Sequence, residues 1–144
     1  MKRVLGLDVG DKRIGVAISD ELGVTTRGIS TITRTNIKTD TQTILDIVKE
    51  NDCSDIVVGL PLNLSGQDSV QTEKVREFAR KLENKLVSNA MQDIGVILFD
   101  ERFTTVLAER AMKEAGLGHE KRKDSIDRQA AAVILEDWLR ANPR

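Results

Sequence analysis

The sequence predicts an α/β fold: a mixed sheet of five strands, three antiparallel and then two parallel, flanked by helices on both faces. Two apolar runs flank a Gly10-Asp11 turn signal near the start of the chain, as in a hairpin. The stretches "DIVVGLP" and "IGVILFDER" are short unbroken apolar runs, the pattern of strands buried on both faces in a parallel arrangement. Between and after them, apolar residues recur at helical spacing. The 144 residues are expected to form a single domain, 1–144, long enough to bury a core.

The elements follow in order. Residues 3–8 and 13–19 are rich in Val, Ile and Leu and form the hairpin. Asp20 to Gly23 is a second turn cluster, and residues 24–33, rich in Thr and Ile, make the third strand. From Asp40 the period changes: Ile44, Ile47 and Val48 mark a helix that Asn51-Asp52 can end. The fourth strand, "DIVVGLP", is stopped by Gly59 and Pro61. Asp68 with Gln71 resembles a capping box, and Val75, Phe78, Ala79, Leu82 and Leu86 form the stripe of a second helix. "IGVILFDER" is the fifth strand, expected to be buried. Leu107, Ala111 and Ala115 mark a third helix ending near Gly116 and Gly118. Ile126, Ala130, Val133, Ile134 and Trp138 mark a last helix, with Asp124 as its N-cap. Ala130, Ala131 and Ala132 let that helix approach the sheet closely.

Composition excludes several classes. With 40% hydrophobic and 31% charged residues the chain is globular in character, away from the signature of disorder. One Cys53 cannot form an internal bridge, and with the single His119 it cannot supply the roughly four ligands of a zinc site. No apolar run approaches the roughly 18 residues that span a bilayer, and Asp8 interrupts the run after Met1-Lys2-Arg3 too early for a secretory leader. A cytoplasmic protein without a membrane partner is expected. The net charge of −1 gives no global field to attract a polyanion, so any basic surface is local.

The acids sit at the ends of these elements. Asp8 closes the first strand, Glu101 follows the fifth, and Asp127 is expected in the first turn of the last helix. In open sheets the ligand site lies beyond the carboxyl ends of the parallel strands, where Asp8 and Glu101 would meet. Alternation puts Asp8 on the face of Val4 and Gly6, and Gly6 leaves room beside it. Clustered carboxylates repel one another and either take up protons or bind a cation. Mg²⁺ or Mn²⁺ suits an oxygen-only donor set, and two such ions roughly 4 Å apart can promote phosphodiester hydrolysis. Each residue also has a plainer reading. Asp8 can be a turn residue, Glu101 can be half of a surface ion pair with Arg102, and Asp127 can simply favour a helix dipole. Asp100 is a nearby acid outside the primary set.

The element order is that of the ribonuclease H-like fold. At the same residues, "GLDVGDKRIGVAISD", "GLPLNLSG", "FDERFTT" and "KRKDSIDRQAAAVIL" resemble, in order and spacing, the motifs of the YqgF (RuvX) family, described as Holliday junction resolvases and pre-16S rRNA nucleases. The resemblance covers nearly the whole chain. It implies a ribonuclease H-like nuclease of the bacterial cytoplasm that trims the 5′ end of the 16S rRNA precursor. It also implies metal-ligand or catalytic roles for Asp8, Glu101 and Asp127. Junction resolvases of the superfamily carry an acid at the end of the fourth strand, where this chain has Gly59-Leu60-Pro61.

Two basic groups flank these acids: Lys12 and Arg13 on the first hairpin, and Lys121, Arg122 and Lys123 just before the last helix. They are read as phosphate contacts that position a nucleic acid without reading its bases, either structured RNA such as the 16S precursor or branched DNA. The alternative is a solvated loop. The polar loop "LPLNLSGQDS" could border the same cleft or be only a connection. Aromatics are 3% with no Tyr, so base stacking is a poor source of affinity. His119 is a weak general-base candidate. Two other functional classes remain. One is a non-catalytic nucleic-acid-binding factor in ribosome maturation or transcription. The other is an actin-like ATPase, for which the first hairpin resembles a phosphate-binding element but 144 residues supply only one of two domains. A junction resolvase would act as a homodimer to cut two strands symmetrically.

Overall fold

Unbroken burial along the first strand sets up the whole architecture, because both of its faces are covered. The computed structural model describes residues 2–101 and 120–143, with side chains from residue 126 onward in the last helix. Five strands, β1 (Arg3–Val9), β2 (Arg13–Ser19), β3 (Thr26–Thr33), β4 (Cys53–Leu60) and β5 (Gly95–Asp100), form one sheet in the order β3-β2-β1-β4-β5. β1 and β2, and β2 and β3, pair antiparallel, whereas β4 runs parallel to both β1 and β5. The expected three-plus-two mixed sheet is therefore present. Three helices accompany it among the described residues: α1 (Ile37–Asn51), α2 (Val70–Ser88) and α3 (Glu120–Ala141).

Leu5, Leu7, Ile14, Val16, Ile56 and Val58 point to one face and pack with Ile44, Leu45 and Val48 of α1 and with Val75, Phe78, Leu82 and Leu86 of α2. Val4, Ala17 and Val57 point to the other and pack with Ala130, Ala131, Ile134, Leu135 and Leu139 of α3. Removing these side chains from water is the main stabilising term, about 1.5–3 kcal/mol for each large aliphatic residue.

The helix ends follow local chemistry. The Asn36 side chain accepts from the Thr39 N–H and starts α1, three residues before the expected Asp40. Asp52 ends it in the left-handed region at φ 53°. The capping box of α2 is Ser69 with Thr72, not Asp68 with Gln71. Asp68 instead holds Arg76 through two contacts of 2.8 and 3.1 Å.

Two expectations need larger correction. β5 is half-buried to exposed along its length because, among the described strands, it has β4 as its one neighbour. The last helix begins at Glu120, not near Asp124, so Lys121, Arg122 and Lys123 lie within its first turn and not in a preceding loop, Asp124 is not its N-cap, and Asp127 is its eighth residue. The run of polar and charged residues 120–125 hid this helical start, since it has no apolar period to detect. The expected helix over Leu107 to Ala115, Arg102 and His119 lie outside the described residues.

Candidate functional site

The α3 face of the sheet carries a glycine at matching positions on four strands. Gly6 pairs with Ala17, and Asp8 with Gly15; Ala17 pairs with Gly28. A Cβ on Gly15 would stand 1.9 Å from the Asp127 carbonyl oxygen, one on Gly28 2.7 Å from the Arg128 Cβ, and one on Gly6 2.9 Å from the Leu135 Cβ. These glycines form a furrow in which α3 lies with its backbone nearly on the sheet. The consequence for the acids is direct. Gly15 is the cross-strand partner of Asp8, so the close approach of α3 at Gly15 brings Asp127 alongside Asp8.

Glu101 enters from the other side. Its N–H donates to the Leu60 carbonyl at 3.2 Å, which ties the chain beyond β5 to the end of β4. Its carboxylate folds back over Gly59, where a Cβ would stand 2.6 Å from Oε2 and 2.6 Å from the Ile134 Cδ1. The register Leu7↔Val58 sets Gly59 beside Asp8 when continued by one residue. Same-face Cβ positions on neighbouring strands are roughly 5 Å apart, so Glu101 Oε2 lies within roughly 8 Å of the Asp8 Cβ. Glycine at position 59 is what leaves the space that the Glu101 carboxylate occupies. Both carboxylates are withdrawn from solvent, Asp8 at 8% and Glu101 at 3% exposure.

Asp127 shares the face but is engaged differently. The Arg13 Nε donates to its Oδ2 at 2.9 Å, in a pair that keeps 20% and 24% side-chain exposure. Among the described residues, no three His, Cys, Asp or Glu side chains form a group that could hold a metal ion. Asp8, Glu101 and Asp127 lie toward one end of one face without closing into such a group, Asp127 being turned onto a guanidinium. Lys12 is exposed at the hairpin turn beside them. The side chains of Lys121, Arg122 and Lys123 lie outside the described residues.

Sequence reasoning did not find the support beneath this turn. The Arg34 N–H donates to the Lys12 carbonyl, its Nη1 to the Gly10 carbonyl, both at 2.9 Å, and its Nε to Asp40 Oδ2 at 3.3 Å. Asp40 is buried at 1% exposure and also accepts from the Thr35 N–H. The Arg34 guanidinium lies 5.1 Å from the centre of the Phe78 ring. Nothing local in the sequence marks Arg34 or Asp40 as partners of a turn more than twenty residues earlier. The glycine furrow was legible in principle, as glycines at same-face positions of successive strands.

Two buried carboxylates offer the hard oxygen donors that a divalent cation takes: Asp8, and Glu101 with its Oε2 over Gly59, the residue of β4 beside Asp8.

Comparison with known proteins places the chain in a family. Curated relatives named "Putative pre-16S rRNA nuclease" include those of Clostridium tetani, 47% identical over 95% of this chain and 95% of theirs, and Koribacter versatilis, 44% identical over 95% and 86%. The solved structure of Thermus thermophilus RuvC in complex with a Holliday junction substrate superposes over 99% of this chain and 97% of that one, with a TM-score of 0.60 at 12% identity. The yeast mitochondrial Holliday junction resolvase Ydc2 superposes over 96% of this chain and 78% of that one, with a TM-score of 0.59 at 12% identity. These two likenesses establish a shared ribonuclease H-like fold. The model of the RuvX family, described as Holliday junction resolvase, matches residues 2–141, and the chain belongs to that family.

Proposed function

We propose that the protein is a divalent-metal-dependent nuclease that hydrolyses phosphodiester bonds in structured nucleic acid, with the 5′ end of precursor 16S rRNA as its substrate and branched DNA as the alternative. The observation that carries this reading is the placement of two buried carboxylates at one end of one face, Asp8 and Glu101, the latter with its Oε2 over Gly59 beside Asp8, where α3 also delivers Asp127. Asp8, Glu101 and Asp127 would hold Mg²⁺ or Mn²⁺, two ions when substrate is bound. Such ions supply activation of water and stabilisation of the departing oxygen. Lys12 and Arg13 at the hairpin, and Lys121, Arg122 and Lys123 in the first turn of α3, are assigned to the phosphate backbone of the substrate, which sets its position without reading sequence. The buried carboxylates keep their orientation because β1, β4 and the Glu101 backbone bond are fixed before any ligand arrives. Cutting a symmetric junction would need a homodimer. No described helix is long and apolar enough to cross a membrane, in keeping with a bacterial cytoplasmic site of action.

The test is cleavage of precursor 16S rRNA and of a four-way DNA junction, side by side, with Mg²⁺ or Mn²⁺. Wild type should cut one of them, and Asp8→Asn should lose at least about 100-fold of that rate while still binding, the scale set by removing one transition-state-stabilising group. A second reading, a non-catalytic nucleic-acid-binding factor, draws on the engagement of Asp127 by Arg13. It requires binding of both substrates with no cleavage by wild type.

A further inference from the structure

We infer that Arg13 couples the two ligands of the site: in the absence of nucleic acid it holds Asp127 away from the cation, and a substrate phosphate that takes Arg13 releases Asp127 to the ion. The inference rests on the reading of Asp8, Glu101 and Asp127 as cation ligands.

Three observations carry it. First, the Arg13 Nε to Asp127 Oδ2 contact of 2.9 Å places the guanidinium on an oxygen of that carboxylate. Second, the pair is neither deeply buried nor fully exposed, at 20% and 24%. A fully buried pair would be too costly to open, and a fully exposed one too weak to compete for the carboxylate. Third, Arg13 lies on the same face as Gly15, two residues along β2, and Gly15 is the direct partner of Asp8. The guanidinium charge therefore stands beside the carboxylates as well as against Asp127, where it opposes a divalent cation by simple repulsion.

An arriving phosphate changes both terms. A guanidinium binds phosphate through the same planar fork with which it binds carboxylate, so the two anions compete for one group. Once the phosphate is on Arg13, its charge near the ion site is compensated and Asp127 can turn toward Asp8. Linkage then requires reciprocity: nucleic acid raises affinity for the cation by the same factor by which the cation raises affinity for nucleic acid. The substrate-free protein would hold its ions weakly and complete its site only on a bound strand.

The experiment is a Mn²⁺ titration followed by electron paramagnetic resonance or calorimetry. It is run on the protein alone and on the protein with a phosphorothioate-blocked RNA duplex, with the duplex-only signal subtracted. Wild type should bind Mn²⁺ about tenfold more tightly with the duplex, within the range usual for coupled sites. Arg13→Gln should bind Mn²⁺ more tightly than wild type without nucleic acid and show little further gain on adding it, while its affinity for the duplex falls. Arg13→Lys, which keeps the charge but not the fork, should retain repulsion and lose part of the coupling. The Arg13 Nε–H resonance should shift when the duplex is added to wild type. Unchanged or weaker Mn²⁺ binding by folded Arg13→Gln, or a full tenfold gain in that variant, overturns the inference. If Arg13→Gln does not fold, the same decision falls to Arg13→Lys and the wild-type resonance. Failure of the underlying site reading is separable: it is the case in which Asp8→Asn binds Mn²⁺ as wild type does.

Discussion

Gly15 and Gly59 both lie under α3, yet an added methyl group meets different obstacles at the two positions. At Gly15 it would collide with the helix backbone at 1.9 Å, so the helix itself would have to move. Gly15→Ala should cost about 3 kcal/mol, read by urea denaturation, at the upper end of ordinary overpacking. At Gly59 the obstacles are the Glu101 carboxylate oxygen and the end of the Ile134 side chain, each at 2.6 Å. Gly59→Ala should cost only about 1 kcal/mol by the same measurement but displace Glu101 and weaken Mn²⁺ binding. Cys53 gives a residue-scale prediction of a different kind. It is 3% exposed, and burial pushes its thiol up from 9.0 to about 11. Between those values the unfolded chain ionises its thiol and the folded one does not, so the contribution is complete below about pH 9 and is lost as pH rises toward 11. The thermal midpoint should fall over that interval with a shallower slope in Cys53→Ala. Aromatic disulfide reagents at pH 8 should modify the thiol only on unfolding.

Among the elements, α1 and α2 depend on their first turns and α3 on its contact face. Asn36→Ala removes the acceptor for the Thr39 N–H and should lower stability by about 1 kcal/mol in denaturant titration. Asp40→Ala, in the same helix, should cost more, about 3 kcal/mol, because it leaves the Arg34 guanidinium without its buried carboxylate. The elements differ in how far the sequence reveals them. The stripe Val75, Phe78, Ala79, Leu82 and Leu86 is, together with Thr72, the buried face of α2, because an amphipathic period is a local signal. The start of α3 was displaced by four or more residues because polar residues continue the helix beyond its apolar stripe. The burial of β5 was overestimated because being at a sheet edge is a property of strand order, which an apolar hexapeptide does not encode.

At the scale of the whole molecule, one sheet with an apolar layer on each face ties the helices of both sides to the same strands. We propose that it unfolds as a single cooperative unit, so that calorimetric and van't Hoff enthalpies agree; a ratio well above one would separate α3 from the remainder. The site is also a property of this scale. The places of Asp8, one residue before the end of β1, and of Glu101, one residue beyond β5, were legible because apolar runs mark the strands that carry them to the carboxyl edge of the sheet. The pairing of Asp127 with Arg13 spans 114 positions and has no local trace. The glycine furrow has a consequence for how tolerance to substitution is distributed. It works as a keyway: the spacing of Gly6, Gly15 and Gly28 admits α3 at one setting, and that setting decides which helix residue meets Asp8. A saturation screen for lost function would therefore return Gly15 and Gly28 together with the acids, although neither has a side chain with which to touch a substrate.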